Sequence, residues 1–489
     1  MGRRQIVNPY LPSWEYTPDC EPHVFGDRLY VYGSHDAAGG KSYCVGDYVC
    51  WSAPTDDLTH WSYEGVIYTR WDDPNNAEHA TYAAPDVVQG PDGRYYLYYF
   101  YGFSAIGVAV ADEPAGHFRY LGRVQMEDGT LIAPGNGLGA PFDPAAYVED
   151  GRVWLYYGFG ARPSDAARFK GPDEVLAGSY VAELECDMHT VKGAPKPFVP
   201  GMRDAAGTSF EAHPFLEASS FRKIRGRYYF IYSSAQGHEL CWASTSAPDV
   251  PPTFGGVIIS NGDVGLRGHE REEDAVFYLG NNHGSIVEVE GVPYIFYHRH
   301  THGMQFSRQD CAEPLCIGED GSIQQAEITS QGLNGGPLDP EKEIPAYAAC
   351  HLRSAEGILH FSSRCVWSPL HPKLVQEEIS GVPTSSRLFI ANMRDRAEVG
   401  FKYFAFSGAG DALEAEIRGD AEGVLEARLD APDGPVAARI PVSAADSWHR
   451  ASAALDGAVR GTHALYFVFR GTGALDFYAF RTVHSAEGC

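Results

Sequence analysis

The run GRVWLYY, residues 151–157, opens on a glycine and continues through alternating aromatic and aliphatic side chains. Glycine supplies the backbone of a tight turn, and aromatic and β-branched residues suit a pleated surface, so the run reads as a strand leaving a hairpin. The phrase recurs as GDRLYVY from Gly26, GRYYLYY from Gly93, GRYYFIY from Gly226 and GVPYIFY from Gly291, with successive starts 58 to 75 residues apart. A strand-like stretch precedes each turn (EPHVF, DVVQ, AAYV, SSFRKI and SIVEVE), and further β-patterned runs such as YVCWSA and IGVAVA follow. Units this short struggle to bury a core alone. Five of them in tandem, with hardly any amphipathic helix, predict a five-bladed β-propeller over residues 1–335.

An ionisable residue stands seven to nine positions ahead of each turn glycine: Asp19, Asp86, Asp143, Glu217 and His283. Their settings rhyme, as TPD, APD, PFD, FLE and NNH. The first strand of a propeller blade lines the central channel, so five equivalent positions would ring one mouth of it. A single Asp before a strand is more often a turn or capping residue; the fivefold recurrence points to a site. Crowded carboxylates repel, and at least one should bind its proton more tightly than usual. Enzymes use such pairs to keep an acid and a base together near neutrality, as glycoside hydrolysis requires. A calcium loop is the rival use of clustered acids, but these are spread over the first 283 residues without a compact D-x-D-x-D run.

Composition sets outer bounds. The 489 residues exceed one ordinary domain, and 44% apolar content supplies ample core. A formal charge of −26 argues against nucleic-acid or anionic-membrane partners, which reward clustered Lys and Arg. The ten cysteines form no C-x-x-C pair and no zinc-finger spacing, and scattered thiols fit a reducing compartment. The start, MGRRQIVNPYLPSWEYTPD, has no apolar run behind its basic residues, and no stretch is long and apolar enough for a membrane span. A cytoplasmic protein is expected.

At this point residues 5–335 resemble glycoside hydrolase family 43, the five-bladed propeller xylosidases and arabinofuranosidases. The resemblance implies that Asp19, in YTPDCEPHVFGDRLYVYGSHD, is the general base. It implies that Asp143, in the FDP motif, positions the acid and adjusts its pKa, and that Glu217, in FLEASSFRKIRGRYYFIYSS, is the general acid. It further implies single displacement with inversion and needs no cofactor for the chemistry. His283, in GNNHGS, matches a channel histidine that helps order a structural calcium ion through water; Arg308, in MQFSRQDC, matches an arginine that reaches the bound sugar. Asp86, Phe142, His283 and Arg308 make up the expected substrate-binding set. Three departures stand out. Asp19-Cys20-Glu21 replaces the usual Asp-Pro-Ser and brings a second acid within two residues, on the same strand face. Ala83-Ala84-Pro85-Asp86 lacks the Trp of the second-blade motif, leaving Trp71, Tyr82 or Phe103 as candidate sugar platforms, each as readily explained by packing. Ala218-Ser219 stands where Gly-Pro is frequent.

After residue 335 the repeats stop. Residues 336–375 are proline-rich and read as a linker packed on the propeller. From 376 to 489 the chain alternates with period two, as in Leu413, Ala415 and Ile417 against Glu414 and Glu416, which predicts half-buried antiparallel strands and a β-sandwich. THALYFVFRG makes this part resemble a family 6 carbohydrate-binding module, with Trp448 and Tyr403 as candidate sugar platforms; a structural brace for the propeller is the favoured reading. The whole is expected to be an all-β, exo-acting, inverting glycosidase that removes terminal β-D-xylosyl or α-L-arabinofuranosyl residues from short oligosaccharides. An endo-arabinanase and a noncatalytic carbohydrate-binding propeller are the alternatives. Three acids crowded together argue against the binder, and loop lengths separate the exo from the endo enzyme.

Overall fold

The computed structural model describes residues 4–102, 104–161, 177–360, 369–378 and 386–484. Each repeated phrase is the second strand of an antiparallel sheet, hydrogen-bonded to the strand before it. In the first blade Glu21–Phe25 pairs with Arg28–Tyr32, followed by Tyr48–Pro54 and Ser62–Tyr68. The second runs Tyr82–Gln89, Tyr95–Tyr101, Ala105–Ala111 and Arg119–Arg123, and the fourth Phe215–Ile224, Arg227–Ser234, Glu239–Thr245 and Thr253–Ser260. The third begins Ala145–Glu149, Arg152–Phe159 and Gly178–Leu184 and adds three short strands at its rim. The fifth has three strands, Gly284–Val289, Val292–Arg299 and Gln309–Pro314.

The innermost strands pack in cyclic order, each beside the next, and that of blade 5 returns to that of blade 1. This is the five-bladed propeller that the repeats predict. Blade faces are sealed by aromatic side chains, for example the buried cluster of Tyr48, Tyr68, Tyr82 and Tyr99 between blades 1 and 2. The ring is closed by a side chain. Asn8 donates from Nδ2 to the Ala312 carbonyl (2.9 Å) and accepts from the Ala312 N–H at Oδ1 (3.1 Å), so its amide pairs with the edge of blade 5 as a peptide group would. Its own N–H donates to the Ser330 carbonyl (2.9 Å), which joins the first residues of the propeller to its last.

The C-terminal part is a sandwich of two antiparallel sheets. One is ordered Lys373–Glu378, Ser386–Met393, Leu475–Val483, Ala412–Gly419, Ala445–Ala454; the other His351–Arg353, Glu398–Phe406, Gly461–Thr472, Glu422–Leu429, Val436–Val442. The stretch read as a linker supplies strands to both: His351–Arg353 edges one sheet and Ile344–Pro345 pairs with Leu475–Val483 in the other. Proline-rich sequence hides such short edge strands, because they carry too few residues to show a period.

Sandwich and propeller share one apolar core, which runs from Ile231, Ile259 and Ile295 through Leu338 and Leu352 to Phe401, Phe467 and Phe480. A buried cation pins the junction. Lys402 Nζ reaches Asp263 Oδ2 (3.2 Å) and Glu327 Oε1 (2.7 Å), and the neighbouring Tyr403 hydroxyl donates to Glu327 Oε2 (2.6 Å). Tyr403 is thereby engaged at the interface. Trp448 is flanked by the guanidinium groups of Arg418 (4.4 Å) and Arg387 (5.4 Å) and by Phe389.

Removing one partner of a buried ion pair leaves the other uncompensated, at about 3–5 kcal/mol. Asp263, 0% exposed, can take up a proton when its cation is gone, which favours the lower end. Lys402→Ala is therefore expected to lose about 3 kcal/mol, read by urea unfolding, and the double change with Asp263→Asn to recover part of it. An unchanged midpoint in the single variant would remove the pin from this account.

Candidate active site

Antiparallel blades bring the starts of all inner strands to one face, together with the connections between second and third strands and those leading into the next blade. At four of these starts the backbone turns through the left-handed region on a residue other than glycine: Asp19 (φ 61°), Ala84 (φ 41°), Asp143 (φ 43°) and Ala218 (φ 67°). Such positions cost of order 1–3 kcal/mol and concentrate at functional sites. They also define the equivalent seat. Blade 2 seats Ala84, so Asp86, two residues on, lies one layer deeper and level with Glu21. Blade 4 seats Ala218, and Glu217 precedes it on a bulged strand. The five ionisable residues thus form two layers where the sequence spacing suggests one ring; bulges before the pairing begins shift the count.

The upper layer joins Asp19, Asp143, Glu217 and His283. Asp143 Oδ2 accepts the Ala218 N–H at 2.8 Å, so this carboxyl holds the peptide that follows Glu217. His283 Nδ1 lies 3.5 Å from the same oxygen. Its neighbour Gly284 has no room for a side chain, since a Cβ there would sit 1.8 Å from the Phe296 carbonyl oxygen. Asp19 Oδ1 accepts from Arg308 Nη1 at 2.7 Å. Arg308 is in turn gripped by Asp36, through Nε (2.8 Å), Nη2 (3.1 Å) and its own N–H (3.2 Å), and its guanidinium lies over the Tyr43 ring at 4.7 Å. The Asp19 N–H donates to His298 Nδ1 (3.2 Å), while His298 Nε2 donates to the Asn281 carbonyl (2.9 Å); this fixes a neutral ring protonated at Nε2.

The electrostatics separate the acids. Burial works against the charge on Asp19, but the Arg308 guanidinium outweighs it and holds that carboxyl below the usual range. Desolvation and then the Asp143 charge push Glu217 up to about 8. Burial and the charge of Asp19 raise Asp143 as well, against the opposing pull of His283. Burial works against the charge on His283, yet the neighbouring carboxylates of Asp143 and Glu21 carry its pKa well above the ordinary histidine value. At neutral pH Asp19 is therefore an ionised carboxylate and Glu217, the more accessible of the two residues, a protonated carboxyl.

The other expected site residues are distributed as follows. Phe142 packs between Phe100 (4.4 Å) and Phe159 (4.6 Å) at the start of blade 3. Arg308 spends its donors on Asp19 and Asp36. Asp86 belongs to the deeper layer, with Oδ1 2.6 Å from His23 Nε2 and Oδ2 accepting the Ala146 N–H at 2.8 Å. Trp71 is 62% exposed beside Arg70 and His79. Tyr82 is buried in the tyrosine cluster, and Phe103 lies outside the described residues. Asp36, His298, Arg222 and the paired role of Glu21 escape a reading by repeat phase. Asp36 lies beyond the second strand of blade 1 and His298 just past the repeated phrase in that of blade 5, and only the two-residue step from Asp19 to Glu21 and from Ser220 to Arg222 hints at the channel layer.

A calcium ion ordered around His283 does not fit the residues as folded. His283 Nε2 faces Glu21 Oε1 at 3.6 Å, and the nearest cluster of metal-type donors, Glu21, His23 and Asp86, already receives the Arg222 guanidinium. A second cation among those atoms would meet a like charge at contact distance.

The model of glycosyl hydrolases family 43 matches residues 8–323. A xylosidase/arabinosidase of Thermoclostridium stercorarium is 45% identical over 481 residues, covering 98% of this chain and 99% of that one. An arabinoxylan arabinofuranohydrolase of Paenibacillus polymyxa is 25% identical over 504 residues, covering 95% and 72%. Among solved structures, the GH43_1 enzyme of Xanthomonas citri complexed with xylose superposes with a TM-score of 0.51 at 26% identity, covering 66% of this chain and 93% of that one.

Asp36→Ala leaves the buried Arg308 with half its counter-charge and is expected to destabilise the chain by about 3 kcal/mol in urea. Asp36→Asn removes the same charge but keeps an acceptor in place, and should cost less by about 1 kcal/mol. Equal losses in the two variants would mean that the charge, which both remove, carries the effect and the retained acceptor adds nothing.

Proposed function

This chain belongs to glycosyl hydrolase family 43, and from that premise we propose that it is an exo-acting, inverting glycosidase that removes terminal β-D-xylosyl or α-L-arabinofuranosyl residues from short oligosaccharides. It is a hydrolase of O-glycosyl bonds and draws on side chains alone for the chemistry. Glu217 protonates the departing glycosidic oxygen. Asp19 takes a proton from a water molecule that attacks the anomeric carbon from the opposite face, so one displacement inverts the centre. Asp143 holds the Ala218 N–H and thus the direction of Glu217, and its charge helps keep the acid protonated until the leaving oxygen needs it. Phe142 and the exposed Trp71 offer apolar faces to the sugar chain.

The observation that carries this reading is the split between the two acids: Arg308 keeps Asp19 ionised while desolvation and Asp143 raise Glu217 to about 8. A noncatalytic binder has no use for that difference. The names of the relatives support the choice of sugars. A neutral substrate suits a chain of charge −26, and the eight described cysteines, all free thiols, suit the cytoplasmic placement that goes with small imported substrates.

Glu217→Gln should lower kcat on natural oligosaccharides about 10²- to 10⁴-fold with circular dichroism unchanged, and should hurt nitrophenyl glycosides less, because their leaving group needs little protonation. Comparable turnover of natural oligosaccharides by variant and wild type sinks the acid assignment. Asp19→Asn should abolish both activities. In the wild type, kcat/KM is expected to fall as pH rises through about 8, where Glu217 loses its proton, and the acid limb should lie below the ordinary carboxylate range, where Asp19 gains one. Asp143→Asn removes a negative charge beside Glu217, so the alkaline limb must move to lower pH. Movement the other way contradicts the role given to Asp143.

A further inference from the structure

Beneath the three acids the channel carries a second polar layer that the mechanism above leaves unused. Inner strands place residues two apart on the same face, so Glu21 and His23 of blade 1, Asp86 of blade 2, Ser220 and Arg222 of blade 4 and Ser285 of blade 5 converge there. Ser220 Oγ donates to Glu21 Oε2 (3.0 Å) and lies 2.6 Å from Ser285 Oγ. Glu21 is 1% exposed and Asp86 0%. Two buried carboxylates need a cation. Arg222 supplies it: Nη2 donates to Glu21 Oε2, lies 2.9 Å from His23 Nε2 and stands 3.7 Å from Asp86 Oδ1, while Nη1 is anchored on the Phe221 carbonyl (2.9 Å).

The geometry points to Arg222 as the resident cation of the propeller channel: its guanidinium takes the place of a bound metal ion and, through Glu21 and His283, positions the catalytic carboxyls above it. The path is continuous. Arg222 holds one oxygen of Glu21; the other, Oε1, has no hydrogen-bond partner among the described residues and faces His283 Nε2 at 3.6 Å; His283 Nδ1 faces Asp143 Oδ2 at 3.5 Å; and Asp143 holds the peptide beside Glu217. A guanidinium suits this task because it is planar, always charged and satisfies several acceptors at once, and a covalently attached cation cannot be diluted or chelated.

Without the guanidinium, the donor atoms of Glu21, His23 and Asp86 all lie within 4.8 Å of one another around an emptied centre. Two carboxylates and an imidazole in that spacing are ligands for a divalent cation. The arginine is thus both the occupant of a cation site and the reason a metal does not enter it.

The test pairs calorimetric titration of CaCl2 into EDTA-dialysed protein with hydrolysis of nitrophenyl glycosides. Wild-type protein is expected to take up no stoichiometric calcium and to keep its activity through EDTA. Arg222→Ala is expected to lose activity about 10- to 100-fold, to bind a single calcium ion and to regain part of its activity on doing so, while Arg222→Lys, which keeps the charge but not the planar fork, is expected to lose less activity than Arg222→Ala and to bind none. Wild-type protein that binds calcium stoichiometrically, or that is silenced by EDTA and restored by calcium, overturns the inference. So does a folded Arg222→Ala variant with full activity. If that variant fails to fold, the two wild-type arms decide alone. Calorimetry reads the channel without reference to any sugar, so an error in the proposed substrate leaves this result standing.

Discussion

Carboxyl groups gathered inside one buried ring cannot all be ionised, and the cations placed around them decide which keep their protons. Arg308 touches Asp19 and not Glu217, and that single asymmetry keeps one carboxyl ionised and leaves the other protonated, as the proposed base and acid require. Nearly everything else near the mouth serves it. Asp36 grips Arg308 from behind, His298 stays neutral and accepts the Asp19 N–H, and His283 lends positive charge to Asp143 and Glu21. The left-handed turns at Asp19 and Asp143 aim these side chains across the ring, and the sheets behind them sustain the strain.

The fold was legible because its signal is repeated. A single GRYYLYY says little, but five such phrases at similar spacing leave few architectures, and each proved to be a second strand. The sandwich announced itself by period-two alternation, as at Leu413, Ala415 and Ile417. What stayed hidden is instructive. Counting back from a turn glycine finds the neighbourhood of each inner strand's start but not its phase, since a bulge of one or two residues moves a side chain to another layer. Asp86 and Asp143 therefore look alike in sequence and sit at different depths. Asp36 and Arg308 are 272 residues apart, and nothing local in either segment names the other. Arg222 sits in an ordinary-looking strand, SSFRKI, and its proposed function depends on three other strands converging on it.

The C-terminal sandwich belongs to the energetics of the propeller. A shared apolar core and the Lys402 pin make the two one cooperative body at their junction. Tyr403 and Trp448, the aromatic residues that sequence offers as sugar platforms, are both engaged, one by Glu327 and the other by two arginines. Stacking needs a free ring face, and burial against a guanidinium removes it. The Arg and aromatic pairing on this sheet contributes packing where a purely apolar patch would invite aggregation.

The clasp at Asn8 bears on the order of assembly. Synthesis delivers Asn8 first, and its partner Ala312 emerges 304 residues later. The blades can form one by one as local hairpins, but the hoop has no closed form until residues of the last blade arrive, and the sandwich core that leans on blades 4 and 5 comes later still. Closure is therefore the longest-range step in a chain of mostly local ones, and such contacts form slowly. Throughout that interval the first blade's inner edge waits unpaired on the nascent chain, in the company of Asp19, the proposed base.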